Sequence, residues 1–211
     1  MVVKEGREYR LGARAGAPPS PSCARICSGI AACLLVVIYL SRSDGRGVGK
    51  ALFLTHWNYV GVIAVLITAT WCRTSTTMTA ATVVSVVSLF VVCARLLFLR
   101  VKADKIQDMA WDVHTHIVVP FVPLVVLACS AGLVCPRPSA VLVPACAAIG
   151  VMAVWAAVNV YAQHVHPEKK WVYGKAANPR TAEGRKQMLY SLGLAGVCVA
   201  STVAVSQCHR F

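Results

Sequence analysis

The sequence predicts an all-α integral membrane protein, a single bundle of six transmembrane helices. Three observations lead there. The 211 residues are 57% apolar, with a mean hydropathy of +0.65. Only 14% are charged, where a soluble domain carries about 25%. Six apolar segments, at about 24–41, 51–72, 77–99, 112–135, 139–162 and 187–207, each approach the ~20 residues that cross a hydrocarbon core.

Taken in order, residues 1–22 are basic and rich in Pro, Gly and Ala, ending in APPSPS. They hold too little apolar area to order themselves and are expected to form a flexible tail. Their arginines suggest a mitochondrial presequence, but Glu5 and Glu8 argue against one. Residues 23–208 then form the membrane domain. The first apolar segment is followed by SDGRG rather than a small-residue cleavage site, so it is read as a retained helix. Connections at 42–50, 73–76 and 136–138 are short enough to force antiparallel hairpins, and 100–111 reads as a charged linker. The one long connection is QHVHPEKKWVYGKAANPRTAEGRK, 163–186. Six spans with both termini on one side put the connections after the first, third and fifth on the opposite face. Basic residues on the two faces are too evenly divided to orient the chain.

The net charge of +13 suits anionic headgroups. No basic tract interleaved with aromatics points to nucleic acid, which is excluded as a partner. The ten cysteines include no CxxC pair. Most sit in apolar segments as small hydrophobes, with Cys23 and Cys27 as candidate acylation sites. HxH occurs twice, at His114/His116 and His164/His166. On a helix such residues point about 200° apart, so no metal and no cofactor is expected.

Polar residues cluster at one membrane depth on the face opposite the termini. Thr55, His56, Trp57 and Asn58 load the entrance of the second segment. Thr55 and Asn58, three apart, share a helix face. Asp108, Asp112 and His116 follow one another at i, i+4 in the fourth segment, so Asp112 can reach the His116 imidazole. A carboxylate on one ring nitrogen fixes the tautomer and leaves the other nitrogen as a base. A hydroxyl beside such a base suits nucleophilic acyl chemistry. Each group also has an ordinary reading. A threonine in a membrane helix commonly bonds the carbonyl four residues back. Trp57, Trp71, Trp111 and Trp155 read as interface anchors, and His56 can be one too. Arg95 can snorkel or pair with a carboxylate.

FLTHWN resembles the F-[LT]-T-x-x-[ND] entrance of the second helix in the androgen-induced membrane hydrolases and their bacterial six-helix relatives. DVHTHIVVPF resembles that family's D-x-x-x-H-x-x-x-P-F segment, and HVHPEKKWVYGKAANP its H-x-x-x-x-W-V-Y-P loop. The motifs occur in the family's order and span most of the chain after residue 50. The resemblance implies a hydrolase of fatty acid esters of hydroxy fatty acids, with Thr55 as nucleophile and His116 as its histidine. Asp112 stands at a position that the family fills with Asp or Asn. Asn58, His166, Trp171 and Tyr173 are the expected substrate-binding residues, and Asn58, Trp171 and Tyr173 the candidate oxyanion donors. Two departures stand out. Gly174 replaces the proline after WVY. His116 lies four residues before Pro120, as in the bacterial relatives, where the animal enzymes have five, so His114 competes for the role.

The expected partners are membrane lipids and a lipid-ester substrate. A non-enzymatic accessory or scaffold subunit is the competing expectation, with lipid, a second copy or a membrane complex as its partner. Its basis is the run of small residues in the last two segments, including Gly193 and Gly196, which permit close helix packing. An endomembrane or the plasma membrane is the expected location, with the mitochondrial inner membrane as the alternative.

Overall fold

The computed structural model describes residues 21–41, 53–98, 106–134, 136–165, 178 and 180–207. Nearly all of these residues are helical, and no strand occurs among them. In chain order the helices are α1 (Pro21–Ser41), α2 (Leu54–Trp71), α3 (Thr74–Phe98), α4 (Ile106–Val113), α5 (Val119–Val134), α6 (Pro138–Val165) and α7 (Ala182–Gln207). A π-helical turn, His114–Val118, joins α4 to α5. Four helical stretches among the described residues are long and apolar enough to cross a membrane: Thr74–Leu97, Met109–Val134, Pro138–Val165 and Ala182–Gln207. Shorter apolar helix is present in α1, at Arg25–Ser41.

α3 is the centre of the bundle. It packs against α2, α5, α6 and α7, while α1 packs on α2. The sequence of α3 explains the position, because its small and β-branched residues let neighbours approach. Thr77, Thr82, Ser85 and Ser88 are all buried, alongside Ala81, Val86, Val87 and Val91. One cluster joins Val86, Val87 and Val91 to Ala145, Ala148 and Met152 of α6 and to Ala195, Cys198 and Val199 of α7. A second joins Ala32, Tyr59, Val62, Leu66 and Val119 across α1, α2 and α5. The outer surface is apolar as well, with Val37, Leu96, Leu133, Val143 and Leu189 each more than 60% exposed.

Several boundaries differ from the sequence reading. α2 starts at Leu54 rather than at 51, because Phe53 is extended (φ −97°, ψ 119°). Residues 106–111, expected to belong to a linker, are already helical. α7 begins five residues before the apolar segment, where Thr181 Oγ1 accepts from Gly184 N–H at 2.9 Å and caps the helix. A Cβ at position 184 would collide with the Asn178 carbonyl, so this cap requires glycine. Most of the tail at 1–22 lies outside the described residues.

Within the chain, the close helix approach falls at Gly61 and not at Gly193 or Gly196. At Gly193 and Gly196 an added Cβ meets nothing within 4 Å. At Gly61 it would meet the two γ-carbons of Val84 at 3.2 and 3.3 Å, so this is where α2 and α3 approach closely. Gly61→Val is therefore expected to cost about 1–3 kcal/mol of overpacking, read as a fall of several degrees in Tm in detergent. Gly193→Ala should leave Tm unchanged or raise it slightly, since it adds helix propensity in open space.

Candidate functional site

Thr55 is the second residue of α2, which begins just after the extended Phe53. Threonines deeper in the bundle give their hydroxyl protons to the preceding turn: Thr68 to Val65, Thr70 to Leu66, Thr82 to Met78 and Thr202 to Cys198. Thr55 Oγ1 instead lies 3.1 Å from Nε2 of His116, sixty-one residues away.

The π-helical turn positions the imidazole. Its local cause is proline. Pro120 has no N–H to donate, and its ring would crowd the carbonyl four residues back, at His116. The chain widens by one residue, and Val119 N–H bonds to the His114 carbonyl instead. Nδ1 of His116 then faces three acceptors: Asp112 Oδ1 at 2.9 Å, the Asp112 carbonyl at 3.1 Å and Thr115 Oγ1 at 3.2 Å. The Thr115 proton is already given to the Trp111 carbonyl at 2.9 Å, so its oxygen acts at Nδ1 as an acceptor. Three acceptors at Nδ1 require the proton there. Nε2 is then the basic nitrogen, and the Thr55 hydroxyl donates to it.

Asp112 is held in turn by Arg95 near the end of α3. Arg95 Nη2 donates to Oδ2 at 2.6 Å, and Nε reaches Oδ1 and Oδ2 at 3.1 and 3.2 Å. The two side chains are only 18% and 20% exposed, so each charge is largely removed from solvent and needs the other. Of the two readings open for Arg95, pairing is the one realised. The arrangement is a relay from Arg95 through Asp112 and His116 to Thr55, assembled from α3, α4, the π turn and α2.

His114, the competing histidine, is engaged elsewhere. Its Nε2 lies 3.2 Å from the Tyr59 hydroxyl, which also reaches the Leu35 carbonyl at 3.3 Å. Trp111 stacks on the His114 ring with centroids 5.6 Å apart, and Tyr39 lies 5.1 Å from Tyr59. This aromatic wedge ties α1 to α2 and to the π turn. The tryptophans follow suit. Trp71 is 82% exposed, as an anchor should be, but Trp57 and Trp155 pack against the α3/α6/α7 core. His56 meets the rings of Tyr39 and Phe53 edge-on.

Asn58 is 1% exposed. Its Oδ1 accepts from Ser88 Oγ of α3 at 2.7 Å, while its Nδ2 has no hydrogen-bond partner. Leaving such a buried donor unpaired costs about 1–3 kcal/mol. The expected substrate residues His166, Trp171 and Tyr173, with Gly174, lie outside the described residues. Asp108 falls within α4, but its side chain is also outside the description. Among the described residues no cluster of three or more His, Cys, Asp or Glu could hold a metal ion. Sequence reasoning missed the π turn, whose signal is Pro120 after a helical approach, and left the partner of Arg95 unnamed.

No family model, curated protein or solved structure matches the chain.

The ion pair makes a thermodynamic prediction. Arg95→Met alone strands the Asp112 charge, and a loss of about 3 kcal/mol is expected, the lower end of the scale for broken buried pairs because the pair is partly exposed. Arg95→Met with Asp112→Asn should recover much of that loss. Thermal unfolding of both variants in detergent checks the ordering.

Proposed function

We propose that this protein is a membrane-embedded hydrolase of lipid esters, with Thr55 as nucleophile and His116 as base. The observation that carries the reading is the 3.1 Å contact between Thr55 Oγ1 and His116 Nε2, with Nδ1 of the same ring on the Asp112 carboxylate at 2.9 Å. A nucleophile must lie within hydrogen-bond reach of its base, and the base must be oriented by a third group. A scaffold subunit would give no reason to join these three residues from distant parts of the chain. The motif resemblance to the androgen-induced membrane hydrolases agrees with the same residues.

In this reading all six apolar segments cross the bilayer, α1 and α2 included. The membrane is an endomembrane or the plasma membrane. Thr55 stands in the first turn of α2, close to headgroup depth. An ester whose acyl chains lie among the lipid tails presents its carbonyl there, within reach of water. Thr55 Oγ attacks the carbonyl carbon while its proton passes to His116 Nε2. The ester C–O bond then breaks, and the leaving alcohol takes that proton. This leaves an acyl group on Thr55. Water attacks the acyl-threonine, its proton moves through His116 to Thr55 Oγ, and the fatty acid departs. Asp112 holds the Nδ1 proton and offsets the charge of the imidazolium that forms at each stage. Arg95 holds Asp112.

Labelling of the detergent-solubilised protein with a fluorophosphonate tests this directly. Wild type is expected to label and to hydrolyse p-nitrophenyl octanoate, while Thr55→Ala and His116→Ala lose both. His114→Ala should keep labelling, because that ring serves Tyr59. Asp112→Asn should lower kcat by about three to four orders of magnitude, as expected when the orienting carboxylate is lost. Labelling or turnover undiminished in Thr55→Ala would sink the reading.

A further inference from the structure

We infer that the side-chain amide of Asn58 is the oxyanion donor of this site. The inference rests on the hydrolase reading above, which requires a donor for the negative oxygen that develops when Thr55 attacks. Three side chains were eligible from the sequence, and one of them now has a specific geometry.

Asn58 follows Thr55 by three residues in α2, so their side chains leave the same helix face about 5–6 Å apart. Asn58 is the more deeply buried of the two, 1% exposed where Thr55 is partly exposed. Helices α2, α3 and the π turn meet there, supplying Thr55, Ser88 and His116. Ser88 Oγ, 2.7 Å away on α3, donates to Oδ1 and fixes how the amide is turned. Nδ2 is buried and has no hydrogen-bond partner. Among the described residues one other buried side-chain atom, Ser85 Oγ, shares that condition. A serine hydroxyl rotates freely, whereas the amide is pinned by its own oxygen.

An ordinary role would be helix–helix adhesion through the Asn58–Ser88 hydrogen bond. That role uses Oδ1 and leaves the Nδ2 protons idle. A fixed, desolvated donor whose partner arises only during reaction is what oxyanion stabilisation requires. An ester carbonyl seated below Thr55 would turn its oxygen toward this amide. As charge grows on that oxygen, Nδ2–H gains the hydrogen bond it otherwise lacks. Ser88 acts as a positioning residue, through the amide oxygen.

The experiment compares wild type, Asn58→Leu, Asn58→Ser and Ser88→Ala, with Thr55→Ala as control. Each is assayed with p-nitrophenyl octanoate, for its fluorophosphonate labelling rate, and for inhibition by an octyl trifluoromethyl ketone, whose adduct carries an oxyanion. Asn58→Leu is expected to lower kcat about 10²–10³-fold, with KM within a few-fold of wild type. The ketone inhibition constant should rise by a similar factor. Asn58→Ser, which is small enough for the site yet too short to reach it, should behave alike and carries the test if the leucine variant does not fold. Ser88→Ala should lose less, with ketone affinity falling in step with kcat. Either Asn58 variant with kcat within about threefold of wild type overturns the inference, as does a loss of kcat at unchanged ketone affinity. If Thr55→Ala is inactive while the Asn58 variants are active, only the oxyanion assignment fails. If Thr55→Ala labels like wild type, or wild type does not label, the hydrolase reading fails and takes the inference with it.

Discussion

A guanidinium among apolar helices needs a counter-charge, and the pairing of Arg95 with Asp112 meets that need while setting the rest of the site. Because Arg95 is near the end of α3 and Asp112 near the end of α4, the pair fixes how the central helix meets the chain entering the fourth apolar segment. Both carboxylate oxygens are engaged by Arg95, and Oδ1 also faces His116. The ion pair therefore does more than neutralise two charges. It sets the rotamer of Asp112, and through Asp112 the tautomer and tilt of the imidazole whose far nitrogen meets Thr55. Losing the pair would loosen a helix contact and unseat the His116 imidazole together.

The remaining stability comes from packing and from a few hydrogen bonds between helices. Lipid tails are as apolar as leucine, so the hydrophobic effect does little to hold spanning helices to one another. What does so here is the close approach at Gly61 and Val84, the buried serines and threonines of α3, and particular polar bridges. Ser88 joins Asn58, Thr77 Oγ1 donates to the Thr68 carbonyl at 3.0 Å, and Tyr59 reaches Leu35. Each bridge of this kind contributes on the order of 0.6 kcal/mol. Together they specify register more than they add stability.

Much of the helical layout was legible from hydropathy, since an apolar segment long enough to span a bilayer has few alternatives to helix. Ends were less legible, because polar residues extend helices past their apolar stretch and capping decides where they stop. Thr181 started α7 early, and extended Phe53 started α2 late. Asp112 and His116 were paired correctly from their i, i+4 spacing, but the choice between His114 and His116 was not available from spacing. A proline two residues beyond the helical turn widens it, and that widening is a three-dimensional outcome. Arg95 had a visible need for a carboxylate, while the identity of that carboxylate depended on where α3 and α4 meet. Gly193 and Gly196 make no close helix contact within the chain, since small residues permit close packing without requiring it.

The polar entrance THWN, so costly at the mouth of an apolar helix, then has a separate use for each residue. Thr55 meets the His116 imidazole, His56 and Trp57 fill the aromatic and apolar surroundings, and Asn58 reaches α3. The central claim is that Thr55 becomes covalently bound. The direct measurement is peptide mapping by mass spectrometry of the folded protein after reaction with a fluorophosphonate. A phosphonyl adduct on Thr55, lost when His116 is replaced by alanine, is the result this account predicts. An adduct on another residue with Thr55 unmodified, or no adduct on well-folded protein, would contradict it.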